Sequence, residues 1–207
     1  MAKYLVELIG TFFLVTTIGM TVIDPGAGNL APLAIGSALM VMIFAGGHIS
    51  GAHYNPAVTL AVCMRGKCAV SDVPGYVVAQ IGGAVLAALV VSFLKGSPSV
   101  TAAEIDVTKA LIAELLFTFA LVYVILNVAT AKATSGNSFY GFAIGFTVLA
   151  GAFAVGGVSG GAFNPAVAVG ATVMGLFKAA NIWVYLVGNF GGAALAAVVF
   201  KITHPDD

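Results

Sequence analysis

The nine residues Ser-Gly-Ala-His-Tyr-Asn-Pro-Ala-Val that end at Val58 recur as Ser-Gly-Gly-Ala-Phe-Asn-Pro-Ala-Val ending at Val167, 109 positions later. The flanks repeat at the same spacing: Ala34 to Gly36 matches Ala143 to Gly145, and Gly82-Gly83 matches Gly191-Gly192. Glu7, within VELIGTFFLV, is answered by Glu114 within AELLFTFALV, at a spacing of 107. Self-similarity at one spacing means two halves of like local structure, here approximately residues 1–95 and 107–207, within a single domain of residues 1–207.

The material between these motifs is almost uncharged. Sixty per cent of the 207 residues are apolar and 8% are charged, where a soluble domain carries about a quarter charged residues. Such a chain cannot cover a water-facing surface and must lie in a bilayer. A span takes about 20 apolar residues. Six runs qualify: Tyr4 to Ile23, Leu30 to Gly46, Val73 to Leu94, Val107 to Thr130, Phe139 to Gly156 and Ile182 to Phe200. The N-terminal run keeps Glu7 and lacks a small-residue cleavage site, so it reads as a retained helix and not a signal peptide. With a cytoplasmic N-terminus, Lys3, Arg65, Lys67, Lys132 and Lys201 fall inside, and Lys95, Lys109 and Lys178 outside. That bias agrees with both termini in the cytoplasm of a cell whose plasma or inner membrane holds the chain. Three spans per half is an odd number, so the second half sits inverted, and a site is expected near the midplane where the halves meet.

Eight basic residues balance eight acidic ones. No basic patch offers itself to nucleic acid. Cys63 and Cys68 have neither zinc-ligand spacing nor a disulfide framework, and no phosphate loop or nucleophile–base pair suggests an enzyme or a cofactor. No metal site is expected.

Irregular backbone cannot face lipid, because its polar groups would go unpaired. The Gly- and Ser-rich stretches before each Asn-Pro-Ala are therefore expected to be extended and buried, or to line water. Asn55 and Asn164 are good helix caps, and Pro56 and Pro165 suit the first helical position, where a missing N–H costs nothing. Ala57 to Cys63 and Ala166 to Met174 are half a membrane long. Two such half-helices from inverted repeats would meet with their N-termini facing, and their dipoles would repel cations at the midplane.

On these duplicated motifs the chain resembles the aquaporin (major intrinsic protein) family over nearly its whole length. The resemblance implies an all-α membrane protein of six spans and two re-entrant half-helices, assembled as a homotetramer with a pore in each subunit. It implies that Asn55-Pro56-Ala57 and Asn164-Pro165-Ala166 line the pore, the Asn amides donating to a passing molecule. Backbone carbonyls of Gly47 to Tyr54 and Val158 to Phe163 would accept from it, and His53 would line the cytoplasmic vestibule. Intramembrane carboxylates suggest function by default, but duplication favours Glu7 and Glu114 as supports for the re-entrant loops over a proton relay. His48 reads as a packing residue at the start of the first loop, and the Gly pairs as sites of close helix crossing.

The family's constriction carries over to Ile35, Ala152, Gly161 and Val167. Water-selective members place an aromatic, a His, a small residue and an Arg there; this chain reads Asn-Pro-Ala-Val where they read Asn-Pro-Ala-Arg. Losing the guanidinium removes fixed donors and a full charge. The expectation is a passive channel with a wide apolar filter for water and small neutral solutes: glycerol, urea, ammonia or undissociated metalloid acids. A strictly water-selective channel and a secondary transporter remain as alternatives, the latter lacking a midplane titratable group unless Glu7, Glu114 or His53 serves.

Overall fold

The computed structural model describes residues 1–207 and contains eight α-helices and no strands. Six are long and apolar enough to cross a membrane: α1 (Ala2–Val22), α2 (Ala31–Ser50), α4 (Val73–Leu94), α5 (Val107–Ile125), α6 (Tyr140–Ser159) and α8 (Ile182–Thr203). Two short helices, α3 (Pro56–Met64) and α7 (Pro165–Val173), enter the bundle without crossing it. Leu126–Thr130 extends α5 by one wider π-helical turn.

Within each half, the first long helix packs on the last, α1 on α4 and α5 on α8, while α2 packs on α6 across the halves. Small residues make these crossings possible. A Cβ on Gly83 would stand 2.5 Å from the Leu8 carbonyl oxygen, and one on Gly192 would press still closer on that of Leu115. Gly36 and Gly145 oppose each other's carbonyls where α2 meets α6. Only the second glycine of each pair is needed, since a Cβ on Gly82 meets nothing within 4 Å and one on Gly191 only the Leu115 Cδ1, at an ordinary contact distance of 3.7 Å. Close backbone approach of this kind drives helix association where lipid offers no hydrophobic gain.

Each half-helix packs against the last long helix of the other half, α3 on α8 and α7 on α4. The two halves are thus interlocked, and the core runs between them through Val15, Val58, Val122 and Phe163. Outward-facing side chains such as Leu5, Phe93, Phe146 and Leu195 are exposed and apolar, as a lipid-facing surface must be.

Ion pairs sort the loops onto two faces. Lys3 pairs with Asp72 at 2.7 Å on one face, where Arg65 meets Asp207 at 2.9 Å and Lys132 joins the same carboxylate. On the other face, Lys95 Nζ donates to the carbonyls of Ile23 and Pro25, and Lys178 pairs with Glu104. At Asp207, burial pushes the carboxyl up, but the Lys132 amide and the Arg65 and Lys132 cations outweigh it and hold the group below the usual carboxylate range. Asp106, which caps α5, is held low by the Lys109 backbone N–H.

Candidate functional site

Asn55 and Asn164 cap α3 and α7 in extended backbone, at φ −158° and −159°. Asn55 Oδ1 accepts from the amides of Ala57 (2.9 Å) and Val58 (3.4 Å); Asn164 Oδ1 accepts from Ala166 (2.9 Å) and Val167 (3.4 Å). Pro56 and Pro165 take the first helical position. Asn55 Nδ2 then donates across to the other half, to the Phe163 carbonyl at 2.9 Å, and Asn164 Nδ2 to the Tyr54 carbonyl at 2.8 Å. The two helix starts therefore face each other. Each amide nitrogen has two protons, so one N–H per Asn is left for the cavity.

The segments before the caps are shorter than expected. Helix α2 runs through His48 and Ser50, and α6 through Val158 and Ser159, so the carbonyls of 47–50 and 158–159 do not form an extended ladder. His48 is an exposed helical residue and not a loop packing residue. The physical reason lies at Gly51 (φ 83°) and Gly160 (φ 91°): a helix ends where the chain turns left-handed, and these glycines are the first to do so. The extended stretches are Gly51 to Tyr54 and Gly160 to Phe163.

Ala52, Tyr54 and Phe163 also hold positive φ, near 50°. For non-glycine residues this costs about 1–2 kcal/mol each. The two buried carboxylates hold the chain there. Glu7 accepts from Ser50 Oγ (2.7 Å), His53 N (2.9 Å), Tyr54 N (2.6 Å) and Gln80 Nε2 (2.8 Å). Glu114 accepts from Ser159 Oγ (2.7 Å), Ala162 N (3.0 Å), Phe163 N (2.7 Å) and Asn189 Nδ2 (2.7 Å). Tyr76 and Tyr185 donate their hydroxyls to the Ser50 and Ser159 carbonyls. What remains without a protein donor is the carbonyls of Gly51, Ala52 and His53, and of Gly160, Gly161 and Ala162.

Gln80, Asn189 and Tyr76 escaped the sequence reading, and Tyr185, whose place near a helix end suggests an interfacial anchor, is instead buried against the second re-entrant segment. Their signal was there: a tyrosine and a side-chain amide at matching places in the third and sixth apolar runs, again 109 residues apart.

A cavity runs past both caps. Of its seventeen lining residues thirteen are hydrophobic, and the polar contributions come from His53, Asn55 and Asn164. It offers about 30 Å³ to the centres of water-sized molecules, about two waters' worth at the roughly 10–15 Å³ each needs. Ile35, Gly161 and Val167 line it, and no lysine or arginine does. Ala152 does not line it, though its Cα lies 3.6 Å from where a Gly161 Cβ would stand. Ala57 and Ala166 are wholly buried and pack behind their caps, as do Pro56 and Pro165.

Comparison with known proteins places this architecture. Residues 31–200 match the family described as Major intrinsic protein. The chain is 38% identical to aquaporin NIP1-1 of Oryza sativa subsp. japonica, over 97% of this chain and 73% of that one. It is 36% identical to glycerol uptake facilitator protein-like 6 of Lactiplantibacillus plantarum, over the full length of both. The X-ray structure of the aquaglyceroporin from Plasmodium falciparum superposes with a TM-score of 0.83, at 26% identity, covering 99% of this chain and 97% of the other. With six spans around a cavity that carries two facing Asn caps, the chain is a passive membrane channel for water and small uncharged solutes, and it belongs to the major intrinsic protein family.

Proposed function

We propose that the pore admits neutral solutes larger than water, glycerol and urea among them, alongside water itself. The observation that carries this is the absence of any cationic side chain along the cavity, with Val167 where a guanidinium would narrow and charge the wall. Asn55 and Asn164 donate to the solute; the free carbonyls of Gly51 to His53 and of Gly160 to Ala162, with His53 itself, accept from it. Ile35, Gly161 and Val167, with Ala152 beside Gly161, set the aperture. Cation rejection then falls to the facing N-termini of α3 and α7. Glu7 and Glu114 act as loop supports. The kinship with proteins named aquaporin, glycerol uptake facilitator and aquaglyceroporin supports this solute class. Ammonia and undissociated metalloid acids fit the same chemistry.

Residues 1–207 form one channel domain of two inverted halves, approximately 1–95 and 107–207. The channel sits in the cell membrane with both termini cytoplasmic, on the face that gathers Lys3, Arg65 and Lys132. It works as a homotetramer, for which the exposed apolar helix faces provide surface, and chemical cross-linking in membranes counts the copies. No cofactor takes part, and the chain has no catalytic role.

A second reading, a channel selective for water, draws on the narrowness of the cavity. Stopped-flow light scattering on proteoliposomes separates the two. Wild type passing glycerol or urea, with Val167→Arg suppressing both while sparing water, supports the open filter. Wild type passing water alone overturns it.

A further inference from the structure

The two halves of the pore are not equivalent, and three residues differ together. His53, Thr59 and Gln80 stand where the second half, 109 residues on, has Ala162, Ala168 and Asn189. Asn189 bonds Glu114 and Thr118 Oγ1 on α5, at 2.7 and 3.0 Å. Gln80, one methylene longer, bonds Glu7 in the same way, but its amide passes by Thr11, whose hydroxyl is left without a partner. It reaches Thr59 Oγ1 on α3 instead, at 3.0 Å. Thr59 Oγ1 in turn stands 3.1 Å from His53 Nδ1 and 3.1 Å from the Asn55 carbonyl.

Counting protons along this chain decides the state of the imidazole. Glu7 Oε2 is an acceptor, so the Gln80 nitrogen must face it, and the same nitrogen donates to Thr59. The Thr59 hydroxyl has one proton, directed at the Asn55 carbonyl, and two lone pairs. Gln80 fills one lone pair and leaves the other for an N–H. We propose that Gln80 and Thr59 are positioning residues that hold His53 in the tautomer protonated on Nδ1, leaving a bare Nε2 as a fixed acceptor on the pore wall. His53 lines the cavity, and hydrogen bonds to protein reach its ring through Nδ1 alone. The titratable groups beside it are Glu7, bonded to its backbone amide, and Tyr76, whose ring centroid lies 4.8 Å away. The acceptor extends the row of free carbonyls in the first half, while the second half has only a methyl at that place. A solute donor therefore meets one more acceptor on one side of the Asn pair than on the other.

This inference rests on the pore reading only for what Nε2 faces; the tautomer can be read whichever solute flows. The experiment is ¹⁵N NMR of histidine-labelled full-length protein in lipid nanodiscs, with His53→Gln identifying the His53 signals among the three histidines. The expected wild-type pattern is a protonated Nδ1 and an unprotonated Nε2. Thr59→Val, which keeps the shape and loses the hydroxyl, is expected to abolish that pattern, and Thr59→Ser to restore it. Wild type protonated on Nε2 overturns the proposal, and needs no variant to fold. So does a Thr59→Val spectrum that keeps the wild-type pattern.

Discussion

Asn55 and Asn164 each donate to the carbonyl of the residue that precedes the other: Asn55 to Phe163 at 2.9 Å, Asn164 to Tyr54 at 2.8 Å. The two re-entrant segments thus anchor one another at their tips. Replacing either Asn by Ala removes a helix cap, worth about 1 kcal/mol, and one bond between the two halves, worth about 1 kcal/mol more. Because each bond depends on the backbone that the other Asn holds in place, the double variant is expected to lose less than the sum of the singles. A double-mutant cycle on unfolding in detergent measures this coupling. Simple additivity would mean the tips are held independently.

Glu7 and Glu114 meet four donors each and no acceptor. Glu7→Gln or Glu114→Gln would turn an NH₂ toward two of those donors, at a cost of about 3 kcal/mol. The expected outcome is a sharp drop in thermal midpoint for both variants. If Glu7→Gln stayed fully stable but lost a proton-dependent uptake, the carboxylate would be a relay and the support role would fall.

Neighbouring glycines are expected to respond in opposite ways. Gly83→Ala drives a methyl into the Leu8 backbone and Gly192→Ala one into that of Leu115, neither of which can give way, for a loss of about 1–3 kcal/mol. Gly82→Ala meets open space and gains helix propensity of up to about 1 kcal/mol. Thermal scans of the three variants check the order; equal effects would refute the crossing geometry.

Asp207 binds Arg65 and also accepts from the Lys132 amide at 3.0 Å. Its carboxyl is held below the ordinary value of 3.8, so the contact is fully present above that value and is lost as pH falls through the lower folded value. Asp207→Asn is expected to speed hydrogen exchange at the Lys132 amide several-fold at neutral pH. The difference from wild type should close at acid pH, where the protonated Asp resembles Asn. Equal exchange at neutral pH would show that the carboxylate does not hold this amide.

The helix caps, the half-length helices and the six spans were legible because each depends on local chemistry: an Asn before a Pro, or a run of a given length. The extent of α2 and α6 was not. Gly46-Gly47-His48 looks like a helix breaker in isolation, yet the helix holds until Gly51 turns left-handed, with Ser50 tied to a carboxylate 43 residues away. The joint role of Gln80 and Thr59 was illegible for a similar reason, since it depends on where α4 and α3 meet. Arg65 and Asp207 lie 142 residues apart, and no periodicity joins them.

The wall around the cavity is mostly hydrocarbon, with a handful of polar atoms spaced along it. A molecule in transit exchanges its hydration shell for few partners and finds no deep resting place. Conduction needs weak, multiple attachment for that reason. Flux through such a passage is expected to rise in proportion to the gradient up to high solute concentration, with no plateau of the kind a carrier shows when every binding site is filled.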